Sequence, residues 1–304
     1  MEVRTFWLNL GWLVMLVLTI GVPLGFDAAG RLTYFTSLSF WAIPILYLWP
    51  VFNMITAEGT GRRRRALRWS AGTLVVLGIV LDFVFGHLTL QFPGCSEPPG
   101  TGPYVLCLPA LGGSVPLEEL LFYVMGPVAM LLVYACADER WLSRYNPKDD
   151  LLDLTLIRLS PRLAAAAVAA ALIAFVLWRV NGTFPTYFSF LAAGAILPAM
   201  FLYRTIGNLT NWPAFAVTLL YVLVTSLIWE VTLAIPRQWW SYEPSGMVGL
   251  TIAAWSRGDA IFPIEAAIVW LFAPFSSVLI YEFAKALTHH PRDTRVALFG
   301  ALTR

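Results

Sequence analysis

The chain is a succession of apolar runs of about 20 residues, each long enough to cross roughly 30 Å of hydrocarbon as a helix. Eight can be read, at 7–24, 34–56, 69–86, 116–137, 163–180, 187–203, 213–235 and 263–287. Backbone inside a bilayer must satisfy its own hydrogen bonds, so runs of this length predict helices. With 59% hydrophobic and 12% charged residues among 304, too little polar surface remains to cover a soluble domain. The expected fold class is an all-α membrane protein of eight transmembrane helices.

Lysine and arginine gather on one side of these runs. With the amino terminus inside the cell, 16 of the 20 basic residues, Arg62 to Arg65 among them, face the cytoplasm, and only Arg31, Arg179, Arg237 and Arg257 face outward. An even number of spans, with both termini cytoplasmic, accounts for the bias in an inner or plasma membrane. The formal charge of +2 therefore reports topology and gives no reason to expect a nucleic-acid partner.

One pattern occurs twice. Pro-x-Glu-x8-Pro-x6-Tyr reads Pro116, Glu118, Pro127, Tyr134 in the first half and Pro263, Glu265, Pro274, Tyr281 in the second. Thr33-Tyr34-Phe35 before the second run likewise matches Thr186-Tyr187-Phe188 before the sixth, and Pro44 matches Pro198. The expectation is two four-helix repeats, 1–145 and 162–304, joined by a cytoplasmic linker at 146–161. Four being even, the two units insert in the same orientation, and equivalent residues share a depth.

Acidic residues fall at the outward ends of these helices. Glu118 and Glu119 open the fourth span, Glu265 opens the eighth, Asp82 lies near the end of the third and Glu230 near the end of the seventh. Ionisable groups inside a membrane are costly and mark function. Carboxyl groups brought together out of water divide into a proton donor and a base. A helix amino terminus favours negative charge and a carboxyl terminus opposes it. Asp82 and Glu230 are thus expected as donors, and Glu118 and Glu265 as carboxylate partners or bases. Phe122, Tyr123, Trp229, Trp240, Tyr242 and Trp270 flank the acids as candidate substrate-binding residues, because ring faces stabilise a cation where water is excluded.

The remaining inventory is sparse. There is no Walker loop, no GxSxG and no strand followed by GxGxxG, so no cofactor is expected. Of the three histidines, His289 and His290 lie in the inward tail, and no metal site is expected. His87, five residues after Asp82, is read as an interfacial residue. Cys95 and Cys107 share an outward loop where a disulfide is permitted, and Cys136 reads as a packing residue.

Val115-Pro116-Leu117-Glu118-Glu119-Leu120-Leu121-Phe122-Tyr123, with Leu81-Asp82-Phe83 upstream, resembles the small membrane lycopene cyclases of the bacterial heterodimeric and fungal fused type. Those carry a Pro-x-Glu-Glu-x-x-Phe signature in each of two homologous parts. The resemblance covers 62–134 well and 213–282 more weakly. It implies non-redox closure of rings on the ψ-ends of lycopene or a related acyclic carotenoid, delivered from the lipid bilayer, with Glu118, Glu119 and Glu265 on the signature. Ala266 departs from it where a second acid is expected, as does Trp270, and four spans per half exceed three.

Other readings stay open. The same residues suit a cyclase or hydratase acting on another prenyl chain, or a small proton-coupled transporter. A purely structural reading caps helices with the acids, paired to Arg237 and Arg257. Ring type and the need for a partner chain are not legible.

Overall fold

Leu117–Cys136 and Ile264–His289, the two segments headed by the duplicated glutamates, form the central helices of the protein (α5 and α10). In this computed structural model the described residues are 2–57, 61–96, 103–147, 161–182, 184–255 and 261–289. Most of the expected linker, 148–160, and the tail from 290 onward lie outside them. Among the described residues, eight helical segments are long and apolar enough to cross a membrane.

Around α5 pack α3 (Ser39–Ile55), α4 (Arg62–Phe85) and α9 (Trp212–Leu227), while α10 is flanked by α4, α5, α8 (Leu197–Ile206) and α9. More peripheral are α1 (Glu2–Ala28), against α3, and α6 (Pro161–Asn181), against α8 and α7 (Thr186–Leu191). A four-residue helix, α2 (Tyr34–Ser37), opens the second span, capped by Thr33 and Thr36 reciprocally. The central helices are largely enclosed, whereas α6 turns most of its surface outward, as suits a lipid-facing helix. Lipid is as apolar as leucine, so close packing and buried polar contacts hold such helices together.

Among the described residues, three helices depart from regular α geometry by wide π turns, at Ala137–Trp141, Ala192–Ile196 and Ile228–Ala234. The last directs Trp229 and Glu230 inward, both buried. Inserted turns of this kind often mark functional sites.

The acid-rich end also differs from an all-α expectation. Two short antiparallel ladders lie between the spans there: β2 (Cys107–Ala110) with β3 (Gly113–Pro116), and β1 (Leu90–Gln91) with β4 (Ser241–Tyr242). They satisfy backbone groups of loops folded down over the helix ends. The second ladder joins the segment after α4 to the one after α9, pairing Leu90 with Tyr242. Cys95 and Cys107 form a disulfide in this cover.

The opposite end carries a buried ionic cluster. Lys285 Nζ lies 3.1 Å from Asp138 and 2.8 Å from Glu282. Tyr134 donates to Glu282 at 2.8 Å, and the Asn211 amide donates to Asp138 at 2.9 Å. One turn of each of α5, α9 and α10 is tied together by this cluster.

Candidate functional site

Between α4, α5, α7, the π turns at Ala192–Ile196 and Ile228–Ala234, and α10 lies a cavity of about 250 Å³. Its walls are apolar or aromatic over most of their area, and three carboxylates reach it at the loop-covered end: Asp82, Glu119 and Glu230. From α10 it takes residues between Val269 and Ile280, so at about 1.5 Å per residue it runs roughly 16 Å along that helix.

Asp82 lies on the last turn of α4. Its side chain is buried, and neither carboxylate oxygen has a hydrogen-bond partner among the described residues. Room for it comes from Gly86, one turn on, where a Cβ would sit 2.6 Å from Asp82 Oδ1. Gly78, one turn before Asp82, has Tyr123 against it; a Cβ there would meet that ring at 2.3 Å. Small residues on α4 thus let both Asp82 and Tyr123 face the cavity.

Glu119 accepts a hydrogen bond from the hydroxyl of Tyr34, whose ring is fully buried and stacks on Trp239 at 5.4 Å. Glu230 accepts from the Tyr242 hydroxyl and from the indole N–H of Trp270. Burial, and secondly the neighbouring Glu230, hold the Tyr242 hydroxyl protonated well above the usual phenol range. Both glutamates are therefore oriented by donors, while Asp82 is not.

The aromatic residues form one connected wall. Phe122 lies 4.9 Å from Trp229, Trp229 lies 5.0 Å from Trp240, and Trp41 stacks on Trp270 at 6.2 Å while meeting Phe122 edge-on at 5.6 Å. Trp229 is locked by donating to Ser37 Oγ at 3.0 Å. Phe122, Tyr123, Trp229, Trp240, Tyr242 and Trp270 all line the cavity.

Glu118 and Glu265, expected as bases, are buried but do not line it. Glu118 Oε1 accepts from the backbone N–H of Val105 at 2.7 Å, and Glu265 Oε1 accepts from that of Val248 at 2.6 Å. Each fastens the loop that precedes its own helix. The reason is helical geometry: Glu118 and Glu119 are adjacent, so their side chains leave the helix about 100° apart and only one can face the cavity.

Arg237, the proposed structural partner of the acids, pairs instead with Asp27, and Arg257 lies outside the described residues. His87 is exposed, with its ring against Gly112 in the loop cover.

Sequence reasoning missed Tyr34, Trp41 and Tyr187 as site residues. Tyr187 lines the cavity and stacks on Tyr242 at 6.0 Å. A signal existed for two of them: Tyr34 and Tyr187 are the matching tyrosines of the duplicated Thr-Tyr-Phe, and both reach the acid-bearing end.

Comparison with protein-family models, with curated proteins and with solved structures found no match to this chain.

Proposed function

We propose that the protein is a carotenoid cyclase, closing rings on the ψ-ends of lycopene or a related acyclic carotenoid by acid/base chemistry without net redox change. The observation that carries this reading is the convergence of an unpartnered buried Asp82 with Glu119 and Glu230 at one end of an otherwise apolar, aromatic cavity.

In this reading Asp82, as the neutral acid, gives its proton to the terminal double bond of the chain. A tertiary carbocation results, and the internal alkene attacks it to close a six-membered ring, moving the charge to a ring carbon. The faces of Phe122, Trp229, Trp240 and Trp270 stabilise the positive charge while water is kept away. Glu119, oriented by Tyr34, removes a proton from a carbon next to the cation and leaves the ring alkene. One proton enters and one leaves, so atoms and electrons balance. Glu230, expected from its helix-end position as a second donor, is read here as a fixed carboxylate, because it accepts from Tyr242 and Trp270.

The finer architecture belongs to the same proposal. The chain is read as two parallel four-helix repeats, because the packing of α1, α3, α4 and α5 is matched by that of α6, α8, α9 and α10. Glu118 and Glu265 likewise fasten equivalent loops, and the equivalent Tyr134 and Tyr281 meet at 5.8 Å between ring centroids. Both termini are read as cytoplasmic, on the distribution of the basic residues.

Expression in cells that accumulate lycopene, followed by pigment analysis, tests the reading. Cyclic carotenoids are expected with the wild-type chain and none with Asp82→Asn. Proton-coupled transport is the second reading, supported by the charged cluster of Asp138, Glu282 and Lys285 at the far end from the cavity acids. Uptake by proteoliposomes, without pigment conversion, decides for it.

A further inference from the structure

We infer that the cavity is filled from the bilayer by one end of a linear apolar chain, entering through a gap between α4 and the π turn that follows α7, with Leu77 and Gly194 as its two jambs. The inference rests on the cyclase reading for the identity of the chain; the route rests on geometry alone.

Two rows of cavity-lining residues face each other across the gap. On α4 they are Leu74, Leu77 and Gly78; on the other side they are Phe190, Gly194 and Ala195. Residues that line a cavity and are also open to the outside mark where its wall is thinnest, which is where a mouth would lie. Leu77 is 43% exposed, and Gly194 is exposed as well. A Cβ built at Gly194 meets nothing within 4 Å, so the glycine leaves free space on the cavity's edge. Both residues sit within membrane-spanning segments, so the mouth faces hydrocarbon.

Among the described residues, neither end of the cavity offers an equivalent route. Over the acid end, the disulfide-linked hairpin, the ladder between β1 and β4 and the glutamate-fastened loops close the way to water. Toward the other end, the fully buried Tyr134 and Tyr281 meet edge to face, one turn beyond Met130 on α5 and directly after Ile280 on α10. Cavity length sets the rest. About 16 Å is near half of the roughly 30 Å hydrocarbon core, so a chain as long as the bilayer is thick cannot fit whole. Its remainder must stay in an apolar medium, and a lateral mouth into lipid provides that without exposing it to water.

The test loads an acyclic polyene that absorbs where tryptophan emits into nanodiscs holding the protein, and reads energy transfer from the tryptophans as occupancy. Gly194→Phe is expected to weaken uptake about tenfold or more, the scale of excluding a few buried methylene groups from contact. Leu77→Phe, from the opposite jamb, is expected to weaken it too, and serves if Gly194→Phe fails to fold. Gly113→Phe, in the loop cover, is expected to leave uptake unchanged. Wild-type uptake in both jamb variants, or loss in Gly113→Phe alone, overturns the lateral route. The two readings fail separately: polyene bound through the gap but never cyclised retires the cyclase and keeps the route, whereas rings formed at the wild-type rate by both jamb variants retire the route and keep the cyclase. No polyene uptake by the wild-type protein overturns both.

Discussion

The hydroxyl of Tyr34 donates a hydrogen bond to the carboxylate of Glu119, 85 positions further along the chain, at the covered end of the cavity. A hydrogen bond to an ionised group in a dry site carries roughly 1.5–3 kcal/mol. In the cyclase reading it aims Glu119 at the proton that must leave. Tyr34→Phe is therefore expected to slow ring formation by about 10- to 100-fold while the protein still folds. Pigment conversion per unit of folded protein in lycopene-fed membranes measures it; an unchanged rate removes Tyr34 from the site.

How far the site was legible follows from what each residue's position depends on. The spans could be read because bilayer thickness fixes a run length, though α4 begins at Arg62 and not Trp69. Its first turn is arginine, and Arg64 reaches back to the Asn53 carbonyl at 2.8 Å, so charge at the interface prolongs the helix beyond its apolar part. Asp82, Glu119 and Glu230 stood out because acids at membrane depth are costly. Which of Glu118 and Glu119 faces the cavity depends on helix rotation, set by packing against α3 and α4, and spacing alone does not encode it. Trp41 was hidden for a related reason. One tryptophan among 13 in an apolar helix carries no mark until α3 is seen beside α5.

Glutamine distinguishes a fastener from a base. Its side-chain oxygen still accepts the Val105 or Val248 N–H but takes no proton from a substrate. Glu118→Gln and Glu265→Gln are expected to retain most ring formation. Glu118→Ala is expected to release the loop, speeding exchange of the Val105 amide by about tenfold or more, the effect of losing one charge-assisted bond. Loss of all conversion in Glu118→Gln, with the Val105 amide still protected, would restore Glu118 as a base.

Lys285 pairs with two buried carboxylates at the end opposite the cavity. Lys285→Met leaves Asp138 and Glu282 without it, and stranding buried charge costs about 3–5 kcal/mol. A large fall in thermal denaturation temperature in detergent is expected, largely recovered by adding Asp138→Asn and Glu282→Gln. If Lys285→Met melts like the wild type, the cluster has no structural role and its place in a transport path gains weight.

Carboxylates from both halves of the chain converge on a single cavity: Asp82 and Glu119 from the first, Glu230 from the second. Ala266 stands where the second half would need a counterpart of Glu119, so no second acid pair of that kind forms there. In the cyclase reading, one chain end is then processed at a time. A carotenoid cyclised at both ends must leave the cavity, reverse in the bilayer and return, and in the interval it competes with unreacted chains for the same mouth. Monocyclic product is expected to accumulate first whenever acyclic substrate is in excess, and to convert to the dicyclic form as that excess is consumed. A labelled acyclic carotenoid chased with an unlabelled excess measures this directly. Dicyclic product that forms from the labelled pool without a free monocyclic stage would mean that both ends react in one visit, which a cavity of this length with one set of acids cannot accommodate.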